Sequence, residues 1–157
     1  ALVQSIGGGN TMVFNEAVRK LLVAAGDDVT VPSHDWWVYM LVTGCGGVVY
    51  YDPEPSIQYR QHNGNLVGAN TSLSARLTRL TLMWRGRLSD WNDRHLEALS
   101  RVRSNLTSEN LASLDQFVAI RKKRFLGRMM GFFRSGLRRQ TLMGQIGLWL
   151  AVAMRKV

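Results

Sequence analysis

Asp35 and His62 are the side chains of this sequence best placed for chemistry, because each stands where regular structure is expected to start or stop. Asp35 lies in Pro32-Ser33-His34-Asp35-Trp36-Trp37. Ser33 is a good N-cap, so the spacing predicts a helix from His34 to about Thr43, with Gly44 as its stop. The carboxylate then falls in the first turn, where free backbone N–H groups and the helix dipole stabilise it. Held at the mouth of a site, such a group takes the proton from an incoming hydroxyl and makes that oxygen a better nucleophile. It can equally do no more than complement the dipole. His62 follows an expected extended segment, Ser56 to Gln61, and precedes the turn-forming run Asn63-Gly64-Asn65. An imidazole there can bind a divalent metal or a phosphate, or remain a surface residue, and no second ligand stands nearby at metal spacing.

Consecutive residues on a helix point about 100° apart, so at most one of Trp36 and Trp37 can share a cleft with Asp35. That one can stack on a ring or pack in the core. Arg60 can pair with Asp52 or Glu54, or reach a diphosphate. Gly7-Gly8-Gly9-Asn10-Thr11 allows close backbone approach to a ligand with N–H groups free to donate, or is a plain turn. It is not a phosphate loop of the GxxxxGK[ST] type.

The elements expected to carry these residues change in character along the chain. Thr11 to Phe14 reads as a short strand, and Asn15 caps a helix from Glu16 to about Ala25. Val48 to Tyr51 reads as a second strand, with Asp52-Pro53-Glu54-Pro55 as a turn. After Gly68-Ala69-Asn70 apolar residues recur at helical spacing, giving helices over 71–88, 90–103, 108–124 and 139–156, with Ser89 and Thr107 as caps. Ser135-Gly136 breaks the basic end into two helical pieces. Two regions follow, a mixed α and β one at 1–70 and a helical extension at 71–157.

Charge divides at the same place. Residues 1–70 hold three Lys/Arg and six Asp/Glu, whereas residues 71–157 hold 17 and five. The net charge of +9 therefore belongs to the C-terminal half, together with any anionic partner it implies. Cys45 is the single cysteine, which excludes an internal disulfide and suits a cytoplasmic setting. At 157 residues and 46% hydrophobic content the chain can bury a substantial core. The opening Ala1-Leu2-Val3-Gln4-Ser5 reads as the interior of a longer protein.

Taken jointly, three runs resemble bacterial inverting GT-A glycosyltransferases of the rhamnosyltransferase-like branch. These are Gly8-Gly9-Asn10-Thr11-Met12-Val13-Phe14-Asn15, His34-Asp35-Trp36-Trp37, and Tyr51 to Pro55 leading to Tyr59-Arg60-Gln61-His62-Asn63-Gly64-Asn65. The resemblance implies an α/β fold: the C-terminal part of a GT-A domain over 1–70, followed by a helical extension. It implies transfer of a sugar, L-rhamnose among the candidates, from a nucleotide-sugar donor to a glycan or lipid-linked glycan acceptor with inversion, in cell-surface polysaccharide synthesis. Asp35 corresponds to the family's catalytic base, with His34 in place of the commoner glutamate. Gly8, Gly9, Asn10, Thr11, His34, Trp36, Trp37, Arg60 and Gln61 correspond to substrate contacts, and His62 to a ligand of a divalent metal, Mn²⁺ or Mg²⁺. The family's nucleotide-binding half and its Asp-x-Asp motif precede the glycine loop and have no counterpart here. The chain thus resembles the C-terminal portion of an enzyme, inactive alone.

From Arg121 to Val157 there are ten Lys/Arg and no acid, interleaved with bulky apolar residues. That pattern describes a helix lying in an anionic membrane interface, and predicts a peripheral protein on the inner face of the membrane. The longest apolar run, Leu142 to Met154, is shorter than the roughly 20 residues a spanning helix needs. Nucleic acid is not the expected partner, since no exposed aromatics are organised around the basic residues. A non-catalytic membrane- or partner-binding module is the alternative function.

Overall fold

The computed structural model describes residues 1–54 and 86–157. These form six helices: α1 (Glu16–Ala25), α2 (His34–Gly44), α3 (Arg87–Arg101), α4 (Ser108–Lys122), α5 (Phe125–Arg134) and α6 (Leu142–Ala153). Short 3₁₀ turns stand at Gly9–Thr11 and Arg103–Asn105.

Side-chain caps set several of these boundaries. Asn15 Oδ1 accepts from the Val18 N–H, Thr107 Oγ1 from Asn110 and Thr141 Oγ1 from Gly144, each satisfying a donor with no partner inside its helix. α3 starts earlier than Ser89 suggests, behind Gly86 in the left-handed region at φ 86°. The basic end does divide at Ser135-Gly136, into α5 and α6.

The α/β expectation is overturned: among the described residues there is no strand and no sheet, and the regular structure is helical. A β-prone run becomes a strand only when a partner strand takes up its backbone groups. Val48 to Tyr51 is irregular and exposed, and Val13-Phe14 stands in solvent behind the Gly9–Thr11 turn. A GT-A assignment for residues 1–70 is therefore not supported. The third expected strand, Ser56 to Gln61, and the helix over 71–88 up to residue 85 lie outside the described residues.

Two apolar clusters hold the helices together. In the first, Trp36, Trp37, Met40 and Leu41 of α2 meet Ala25 of α1, Ala98 and Leu99 of α3, Val102 just beyond α3, and Leu114 of α4. In the second, Phe117 and Ile120 of α4 meet Phe132 of α5 and Leu148, Ala151 and Val152 of α6, with Val3 and Val157. Leu2, Leu88 and Leu96 pack against both. α5 approaches α4 closely at Gly131, where an added Cβ would lie 2.9 Å from Ile120 Cγ1.

Candidate functional site

α2 carries Asp35, and both of its ends are tied down. At the C-terminal end Asn110 Nδ2 donates to the carbonyls of Thr43 and Gly44 at 3.0 and 3.1 Å, and the Thr107 N–H donates to Gly44 at 3.0 Å. These bonds satisfy carbonyls that the helix leaves open. Toward the other end Trp36 Nε1 donates to the Ala1 carbonyl at 2.9 Å.

Asp35 is half-buried in the first turn. Its Oδ1 accepts from the Ser33 hydroxyl and, at 2.7 Å, from the Trp36 N–H. Ser33 is the residue before the helix, as expected, but its hydroxyl serves the carboxylate rather than a backbone N–H. Among the described residues no donor reaches Oδ2. One oxygen, Oδ1, is thus held in place by two donors.

The glycine loop comes to the same place. An added Cβ at Gly9 would collide with the His34 imidazole as it stands, lying 2.8 Å from Cδ2 and 3.0 Å from Cε1, so a larger residue here would push that exposed ring aside. Gly8, Asn10 and Thr11 are exposed beside it. The loop closes on itself, Thr11 donating through N and Oγ1 to the Gly8 carbonyl at 3.0 and 2.9 Å. The Thr11 N–H is therefore not free for a ligand. Gly9 thus meets His34, the residue before Asp35 at the start of α2.

Trp36 and Trp37 are not at the surface of this site. Both are buried, Trp36 against Trp91 with centroids 6.3 Å apart and against His95 at 5.0 Å. Arg60, Gln61 and His62 lie outside the described residues. Among the described residues no three His, Cys, Asp or Glu side chains converge to hold a metal ion, and His62, the ligand the resemblance implies, lies outside them.

His95 escaped the sequence reading. It is 2% exposed, and neither ring nitrogen has a hydrogen-bond partner among the described residues. Burial pushes its imidazole down to about 4, against a weaker upward pull from the Asp35 carboxylate, which places it within reach of that charge. The signal was a histidine within the apolar stripe Leu88, Trp91, His95, Leu99, Val102, at i, i+3 and i+4 spacing.

The similarity found among known proteins is to a glycosyltransferase of the rhamnosyltransferase kind. The dTDP-rhamnosyl transferase RfbG of Shigella flexneri is 42% identical over 87 residues, covering 51% of this chain. The chain spans 29% of the length of that relative. No family model matches the sequence, and no solved structure matches it.

Proposed function

We propose that this chain is part of a glycosyltransferase that moves L-rhamnose from dTDP-rhamnose to a hydroxyl of a glycan or lipid-linked glycan acceptor, with inversion. The observation that carries this reading is the 42% identity over 87 residues with the dTDP-rhamnosyl transferase. The approach of Gly9 to His34, beside Asp35 at the start of α2, supports it.

Asp35 is the base. With Oδ1 fixed by Ser33 and Trp36, Oδ2 accepts the proton of the acceptor hydroxyl as its oxygen attacks the anomeric carbon from the face opposite the departing nucleotide diphosphate. His34 and the Gly9 backbone border the acceptor. A divalent cation belongs to the proposal through the resemblance alone, and no step is routed through it. The place of action is the cytoplasm, at the inner face of the membrane, in cell-surface polysaccharide synthesis.

The test is Asp35→Asn in the intact protein, with dTDP-rhamnose and acceptor. Turnover should fall by about 10² to 10⁴-fold, as for loss of a general base, with donor affinity retained. Turnover within a few-fold of wild type would leave Asp35 as a helix-start residue. The exposed apolar face of α5 and α6 favours the second reading, a non-catalytic binding module. Absence of sugar transfer in the intact protein, whatever the residue at 35, would select it.

A further inference from the structure

The outer side of the α5–α6 pair is apolar although nothing in the described structure covers it. On α5, Leu126, Met130 and Phe133 recur at i, i+4 and i+7 and are 79%, 60% and 73% exposed. On α6, Met143, Ile146 and Leu150 recur at i, i+3 and i+7 and are exposed as well. Other sides of the same helices supply Phe132, Leu148, Ala151 and Val152 to the core, so each helix is apolar on two faces, and among the described residues only one is covered. Trp149 joins the stripes, its ring 6.2 Å from that of Phe133.

The cations around this face fall into two groups. Arg128 is buried and donates to the carbonyls of Val152, Lys123 and Ala153. Arg121 donates to the Val157 carbonyl and to Asp93, and Arg139 to the Val3 carbonyl. Those three hold the fold. Lys122 at the last residue of α4, Lys123 and Arg124 between α4 and α5, Arg134 at the last residue of α5, and Arg138 beyond it are exposed, and among the described residues none of them pairs with a carboxylate.

We propose that this outer face is a membrane-interface surface for anionic phospholipid, the apolar stripes entering the acyl boundary while Lys122, Lys123, Arg124, Arg134 and Arg138 meet the headgroups. Charge complementarity selects this occupant, because residues 121–157 contain no acid and the face is bounded by cations at both ends of α5. The helices lie in the interface rather than cross it. At ten and twelve residues they span about 15 and 18 Å, against a hydrocarbon core of about 30 Å. No helix among the described residues is long and apolar enough to span a membrane. The proposal does not rest on the sugar-transfer reading.

The experiment is co-sedimentation of the intact protein with vesicles of phosphatidylcholine, with and without phosphatidylglycerol. Binding should require phosphatidylglycerol and weaken as salt rises, because screening shortens the Debye length to about 3 Å at 1 M. The triple variant Lys122→Gln, Lys123→Gln, Arg124→Gln should bind about 100-fold more weakly, each cation contributing about fivefold. Leu126→Glu with Phe133→Glu should abolish the salt-resistant remainder. All replaced side chains are exposed, so circular dichroism should be unchanged. Equal sedimentation with neutral and anionic vesicles, or of variants and wild type, overturns the proposal. So does self-association in sedimentation velocity that the Glu variants abolish, because the occupant would then be a second copy. Sugar transfer to a water-soluble acceptor, measured on the same preparations, reports the enzymatic reading separately.

Discussion

A neutral imidazole buried within reach of the Asp35 carboxylate makes His95 a group whose protonation opposes folding. Its value falls from an ordinary 6.5 to about 4, so above pH 6.5 neither the folded nor the unfolded chain carries its proton. Between 6.5 and 4 the unfolded chain takes up the proton and the folded one does not. Stability is therefore lost as pH falls through that window. From pH 7 to pH 5 the loss expected from this residue is about 2 kcal/mol, at 1.36 kcal/mol per pKa unit. Urea titrations at the two pH values, on wild type and on His95→Leu, isolate it. An identical pH dependence in both would show that His95 is not the group responsible. The residue also marks a limit of sequence reading. Its position on the helix could be read, but its enclosure depends on Trp36 arriving from α2, 59 positions away in the numbering.

At the scale of elements, what could be read in the sequence was what is decided locally. α1 begins after Asn15, α2 runs from His34 to Gly44, and α4 begins after Thr107, because a cap and a helical stripe act within a few residues. Val48 to Tyr51 shows the converse: four β-prone residues cannot declare that no strand comes to pair with them. The site divides in the same way. Asp35 in a first turn was foreseeable, whereas the packing of Gly9 on His34 and the burial of Trp36 and Trp37 are tertiary facts. α5 and α6 are joined by a device that no local rule shows. Arg128 places three donors on carbonyls of Lys123, Val152 and Ala153 at 3.0, 2.7 and 3.0 Å, and so closes the end of α6 with a positive charge where the dipole favours one. Arg128→Met keeps the apolar stem and removes the donors. It should cost about 3 kcal/mol in urea unfolding, with exposed Arg124→Gln within about 0.5 kcal/mol of wild type as control. A cost for Arg128→Met as small as the control's would mean that water replaces the guanidinium.

At the scale of the molecule, the two apolar clusters share Leu2, Leu88 and Leu96, and should open together. Leu96→Ala should lower stability by about 2 kcal/mol, the lower end of the range for leucine truncation, since the side chain is half-buried. Native-state exchange of the Leu41 and Leu148 amides, one from each cluster, should then accelerate alike, by about 30-fold. Acceleration of only one would separate the clusters into independent units. The Arg128 clamp has a bearing on mutational drift. It grips main-chain oxygens, which every residue supplies, and therefore places no demand on side-chain identity along α6. Substitutions at Met143, Ile146 and Leu150 can accumulate without loosening the joint. The outward sequence of that helix is free to follow whatever it meets beyond the protein, while its attachment stays constant.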